Sequence, residues 1–148
     1  MLAVVLPVLC RARDTGPVVR VSAGVTLFGA VTSVVLWQTA DWTIPLVYGP
    51  AYAPAVPAFR VLSLSFPLFS LNYALTHQLI GWDRQRAYAF VCATALAVNV
   101  VVNASLIPSW SIEGAAWATF WTEAVVTVGC AAALWWEVAP DTLRATVA

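Results

Sequence analysis

The chain has 148 residues, 61% hydrophobic and 9% charged, with a formal net charge of zero. Soluble domains carry about 25% charged residues, so this composition argues against a water-soluble domain and for an integral membrane protein. A neutral chain without a basic cluster also argues against a nucleic-acid partner.

All seven positive residues are arginine, and lysine is absent. Together with the wealth of Ala, Val and Trp, this suggests a bacterial genome of high GC content. The opening MLAVVLPVLCRAR has no basic region before its apolar run, which a secretory signal needs. Leu9 stands before Cys10 where a lipoprotein signal needs a small residue. The first ten residues are expected to be the last turns of a membrane helix whose beginning is missing.

Four apolar segments follow, each near the roughly 20 residues that span a bilayer as a helix. They run over about 18–40, 58–80, 87–107 and 114–136, the second with a lead-in from Ala51. No period-2 alternation persists, so strands are not expected. Gly49-Pro50, Pro54 and Pro57 punctuate the first connection; Gly81 to Arg86 form the second; Pro108 to Glu113 form the third. Pro140 and Asp141 follow the last span. The predicted architecture is an all-α integral membrane protein with four transmembrane helices and an N-terminal helix remnant.

Arginine placement orients these spans. Arg11, Arg13 and Arg20 precede the first, Arg84 and Arg86 lie in the second connection, and Arg144 lies in the tail. The connections 41–57 and 108–113 carry no positive residue. By the positive-inside rule, the arginine-bearing segments and the C-terminal tail are cytoplasmic. Trp37, Trp42, Tyr48 and Trp110 then fall at outer ends, and Trp82, Tyr88, Trp135 and Trp136 at inner ends, where interfacial aromatics belong. Trp117 and Trp121, four apart, share a face that packs on lipid or a neighbour, or binds sugar.

Ionisable groups inside spans are costly and are functional candidates by default. Glu123 lies near the middle of the fourth span. It is either a proton or cation site facing a hydrophilic cavity, or a hydrogen-bonded group that ties two helices together. Arg60, near the outer end of the second span, either attracts an anionic headgroup through its planar fork or snorkels to the interface. His77 is the only histidine; it is either a proton relay or a polar group at the membrane boundary.

Arg60, Ser63, Pro67, Ser70, Ala74 and His77 follow one another at spacings of three and four and make one small or polar stripe. Pro67 is expected to kink the helix. Ser22, Thr26, Gly29 and Ser33 make a similar face on the first span, and Gly114, Ala115, Ala118 and Thr122 on the fourth. Asn99 and Asn103 share a face of the third. With Asn72 they are read as helix-packing polar residues. Small faces and amides serve helix packing, a shared hydrophilic cavity, or both.

Cys10, Cys92 and Cys130 lack ligand-like spacing and read as small hydrophobes, so no metal is expected. No Walker, GxSxG, HExxH or Rossmann pattern occurs, and no cofactor or catalytic residue is assigned; an enzyme is not expected. The Asn103-Ala104-Ser105 sequon lies inside a span.

Three stretches carry a family resemblance. LPVLCRARD resembles a helix-ending proline before a basic cytoplasmic loop. VYGPAYAPAVPAFRVLSLSFPLFSLNYALTHQLIGWDRQR resembles a Tyr-Gly-x-x-Tyr-x-x-Ala lead-in, an Arg-x-Leu helix and a Gly/Arg-bearing inner loop. NVVVNASLIPSWSIEGAAWATFWTE resembles an Asn-x-x-x-Asn, Leu-Ile-Pro, Gly-Ala-Ala and Ala-Thr-x-x-x-Glu series. In this order, and over nearly the whole chain, they are similar to the C-terminal part of polysaccharide or oligosaccharide flippases of the multidrug/oligosaccharidyl-lipid/polysaccharide exporter superfamily.

The resemblance implies part of the second six-helix lobe of a transporter of about twelve or more helices that works by alternating access. It implies a lipid-linked saccharide on an undecaprenyl-type carrier as substrate and the bacterial cytoplasmic membrane as location, in service of envelope polysaccharide or exopolysaccharide synthesis. Arg60, Ser63, Ser70, His77 and Glu123 are the candidate cavity residues. The chain then reads as a fragment whose partners are the lipid bilayer and the missing N-terminal lobe. The alternatives are a multidrug–cation antiporter of the same superfamily, with Glu123 as ion site, and a non-transporting membrane scaffold subunit.

Overall fold

A computed structural model of the chain describes residues 15–138. The expected N-terminal helix remnant, with Arg11 and Arg13, and the tail with Arg144 lie outside the described residues. Every regular element among the described residues is helical.

Helix α1 spans Thr15–Tyr48, 34 residues. At 1.5 Å per residue it is about 50 Å long, more than the ~30 Å hydrocarbon core requires. Most of its surface is apolar and exposed: Leu27, Phe28, Val31, Val34 and Val35 are each more than half accessible. Such a continuous apolar face is foreign to soluble monomers and suits lipid. The small face goes inward, with Gly29 and Ser33 buried. Gly49 ends the helix at φ 95°, ψ 161°, a conformation open essentially to glycine, and its N–H donates to the Pro45 carbonyl at 3.0 Å.

The expected Pro-rich loop is a 3₁₀ turn over Pro50–Ala55, leading into α2, Val56–Ser63, with Pro57 in the first turn, where its missing N–H costs nothing. Helix α3, Ser65–Gly81, follows after an interruption at Leu64. That interruption lies three residues before Pro67, which leaves the Ser63 carbonyl without its usual donor. α3 closes in a Schellman turn: Arg84 N–H donates to the Leu79 carbonyl at 2.9 Å and Asp83 N–H to the Ile80 carbonyl at 3.1 Å. Asp83 takes the left-handed position at φ 58°, which aspartate tolerates better than most residues.

The last run, α4, spans Gln85–Val138. Here the expectation of four separate spans is corrected. Three helical stretches are long and apolar enough to cross a membrane: Val19–Tyr48, Pro50–Gly81 and Gln85–Glu137. The expected third and fourth spans belong to one run because 108–113 is not a loop; only Ser111 leaves helical geometry, at φ 49°, ψ −124°. That single residue reverses the chain. A straight helix of 54 residues would be about 80 Å long and would hold Val91 and Gly129 far apart. Instead, a Cβ on Gly129 would stand 2.8 Å from Val91 Cγ1, and one on Gly114 would stand 2.6 Å from the Leu106 carbonyl oxygen. α4 is therefore a hairpin, with an outgoing arm (85–110) and a return arm (112–138).

Packing fixes the two ends of the bundle. Leu79, Val91, Cys130 and Leu134 form one apolar cluster, joined by Trp82 and Tyr88. Ala40, Ile44 and Val56 form a second, and Ala58, Val61 and Ala116 a third. α1 runs antiparallel to α2 and α3, since Ile44 meets Val56 while Gly29 meets Phe66 and Ser70. The start of α1 with Arg20, the turn with Arg84 and Arg86, and Glu137 thus lie at one end. Asp41, Trp42, Tyr48, Arg60 and the Ser111 reversal lie at the other. Trp82 and Tyr88, expected as interfacial residues, are partly buried in the first cluster, whereas Trp135 and Trp136 are exposed.

Candidate functional site

Midway between these ends, α3 and the return arm share a polar contact in apolar surroundings. Asn72 is buried, at 5% accessibility. Its Nδ2 donates to Glu123 Oε2 at 2.7 Å and to the Glu123 carbonyl at 3.0 Å. Thr127 Oγ1 lies 2.7 Å from Asn72 Oδ1 and 2.8 Å from the Glu123 carbonyl, two acceptors that share its one proton. Thr76 Oγ1 donates to the Asn72 carbonyl at 2.8 Å. Every polar atom of the Asn72 side chain is engaged. Glu123 is half-buried, and its Oε1 makes no hydrogen bond among the described residues. Four positions separate Glu123 from Thr127, so one helical turn presents both to Asn72.

A second polar ladder joins the arms of α4. Asn103 Nδ2 donates to Asn99 Oδ1 at 3.0 Å and to the Asn99 carbonyl at 2.9 Å. Asn99 Nδ2 donates across to Thr122 Oγ1 at 2.8 Å, and Thr122 donates to the Ala118 carbonyl at 2.8 Å. Thr122 and Glu123 are adjacent and point to different neighbours, so the return arm is bonded on two sides. Buried Gly114 and Ala118 share the face of Thr122 and let the arms approach closely, while Ala116 packs on Ala58 and Val61 of α2.

In α2, Arg60 pairs with Asp41 of α1 at 2.5 Å. Its Nε reaches the Trp37 carbonyl at 3.4 Å, and the guanidinium lies 6.0 Å from the centre of the Trp37 ring. Asp41 remains well exposed, so solvent screens the pair. At the opposite end, Arg84 pairs with Glu137 at 2.5 Å, tying the α3–α4 turn to the end of the return arm.

The expected polar stripe does not converge on one place. Ser63 is fully buried and donates back to the Phe59 carbonyl at 2.8 Å. Ser70 packs on Gly29 of α1. His77 Nδ1 lies 2.7 Å from the Tyr73 carbonyl, a contact that needs its proton on Nδ1, and its ring rests on Tyr73 at 4.2 Å. Arg60 turns to α1. None of these four is hydrogen-bonded to Glu123, whose partners are Asn72 and Thr127. Trp117 packs on the α2 cluster and contacts Phe120 edge-on at 5.7 Å, while Trp121 is exposed. An open groove of about 600 Å³ runs beside the reversal, lined by Ser109, Trp110, Ser111, Glu113 and Trp117.

Thr127 and Asp41 are the partners that sequence reasoning missed. Asp41 was the available signal for Arg60, being an acid at the same end of the bundle, but 19 residues and a turn separate them. Comparison with protein-family models, with curated proteins and with solved structures finds no match for the chain.

Proposed function

We propose that this chain is a membrane region of a flippase that moves lipid-linked saccharide precursors across the bacterial cytoplasmic membrane. The observation that carries the reading is the Asn72–Glu123–Thr127 contact, a carboxyl group with one engaged and one open oxygen at mid-depth of an apolar bundle. Carboxyl groups in such places mark substrate or ion paths. In this reading the three long apolar helical stretches lie in the bilayer, with the Arg20/Arg84/Arg86 end cytoplasmic. The array forms one wall of a cavity, and a companion lobe supplies the other, as alternating access requires. Glu123 faces the path of the polar headgroup, with Asn72 and Thr127 behind it.

A second reading rests on the saturation of Asn99 and Asn103 in helix–helix bonds: a non-transporting scaffold held together by polar rungs. The test is flipping of a fluorescent undecaprenyl-linked N-acetylglucosamine in proteoliposomes that hold the chain together with its companion lobe, comparing wild type with Glu123→Gln at equal protein content. The flippase reading expects a loss of at least about tenfold, or 1.4 kcal/mol of barrier. Equal rates would assign Glu123 to packing.

A further inference from the structure

We infer that Asn72 is the positioning residue of Glu123, fixing which carboxyl oxygen the bundle presents to a ligand. The inference rests on the transport reading above. Asn72 bonds both the backbone carbonyl and Oε2 of the same residue, 51 positions away in sequence. Such a two-point grip sets the side-chain torsions of Glu123, because Oε2 cannot leave Nδ2 while the carbonyl of its own helix is held. The grip is itself oriented. Thr127 Oγ1 faces Asn72 Oδ1, so the amide nitrogen is turned toward Glu123 and a flipped amide would set oxygen against two acceptors. With 5% accessibility, Asn72 has no solvent with which to exchange these bonds. Oε1 is left as the one oxygen available to a hydroxyl or cationic donor. An apolar residue at position 72 frees the carboxyl group to rotate, and misplacement of a reacting or binding group by about 1 Å can cost a hundredfold.

Two measurements test this, an infrared one on the chain in micelles and a flipping one in proteoliposomes that also hold the companion lobe. The Glu123 carboxyl band is isolated as the infrared difference between wild type and Glu123→Gln. The inference expects that band to shift in Asn72→Leu and, in the same direction, in Thr127→Val, which leaves the Asn72 side chain in place should the Leu variant not accumulate. It expects Asn72→Leu to lower flipping of the labelled undecaprenyl-linked sugar as far as Glu123→Gln does, with no further loss in the double variant and partial rescue in Asn72→Gln. A band unmoved in both Asn72→Leu and Thr127→Val overturns the inference. So does normal flipping in Asn72→Leu alongside lost flipping in Glu123→Gln, since Asn72 would then only pack. Normal flipping in Glu123→Gln defeats the transport reading, while the infrared band still decides whether Asn72 holds the carboxyl group.

Discussion

Gly114 sits against the Leu106 carbonyl so closely that a methyl group there would stand 2.6 Å from the oxygen. The obstacle is backbone, which cannot rotate away as a side chain can. The two arms of α4 therefore meet beside the Ser111 reversal by near contact of main chains.

Gly114→Ala must push the arms apart or bend one of them. Overpacking of this kind costs about 1–3 kcal/mol. Denaturant unfolding in micelles checks it, with Gly24→Ala as the control, because nothing lies within 4 Å of a Cβ at Gly24. Equal midpoints for the two variants would contradict the close approach.

Ser111 turns the chain at φ 49°, ψ −124°, the geometry of the first central residue of a type II′ turn, where glycine is favoured. A non-glycine residue there carries roughly 1–3 kcal/mol of strain. Ser111→Gly is expected to raise the unfolding midpoint and Ser111→Val to lower it. A lower midpoint for the glycine variant would show that the reversal is built differently.

The Arg60–Asp41 pair joins α1 to α2 in a partly exposed place, with side chains 33% and 61% accessible. A double-mutant cycle with Arg60→Ala and Asp41→Ala should give a coupling of only about 0.2–1 kcal/mol, and salt should weaken it. A larger, salt-insensitive coupling would mean that Arg60 is shielded in the membrane.

The ends of the bundle differ in net charge: Arg20, Arg84 and Arg86 outnumber Asp83 and Glu137 at one, and Asp41 and Glu113 outnumber Arg60 at the other. Cysteine placed at Trp110, in a chain with Cys10, Cys92 and Cys130 replaced by alanine, should react with an impermeant maleimide in intact cells. Cysteine at Arg84 should react only after the cells are opened. The reverse pattern would invert the orientation.

Much of the fold was legible because membrane helices announce themselves by length and composition. The small faces read from Gly29, Ser33, Gly114 and Ala118 are buried, and Asn99 and Asn103 do share a face and a bond. The reversal was legible in place and not in form. Pro108 and Gly114 suggested a six-residue loop from Pro108 to Glu113, yet a serine alone makes the turn, and serine gives no sign of positive φ. The candidate site was only half legible. Glu123 stood out as a charge in an apolar run, but its partner is fixed by how α3 meets the return arm. No local spacing encodes that meeting. The stripe from Arg60 to His77 treated α2 and α3 as one helix kinked at Pro67, with one face serving packing, a shared cavity, or both. Arg60 found Asp41 and His77 found its own helix, because each polar group takes the nearest partner that folding brings to it.

The one-residue reversal also governs which sequence changes the hairpin can absorb. A helix turns 100° per residue. Inserting or deleting a single helical position between Leu106 and Gly114 would swing one arm by that angle relative to the other, although Asn99 and Thr122 are now held 23 positions apart. Thr122 would leave Asn99, Glu123 would leave Asn72, and Gly114 would turn its face from Leu106, all together. Variation along these arms is thus free in the exposed letters and fixed in their number, so that length, more than identity, is what chains sharing this hairpin should hold constant.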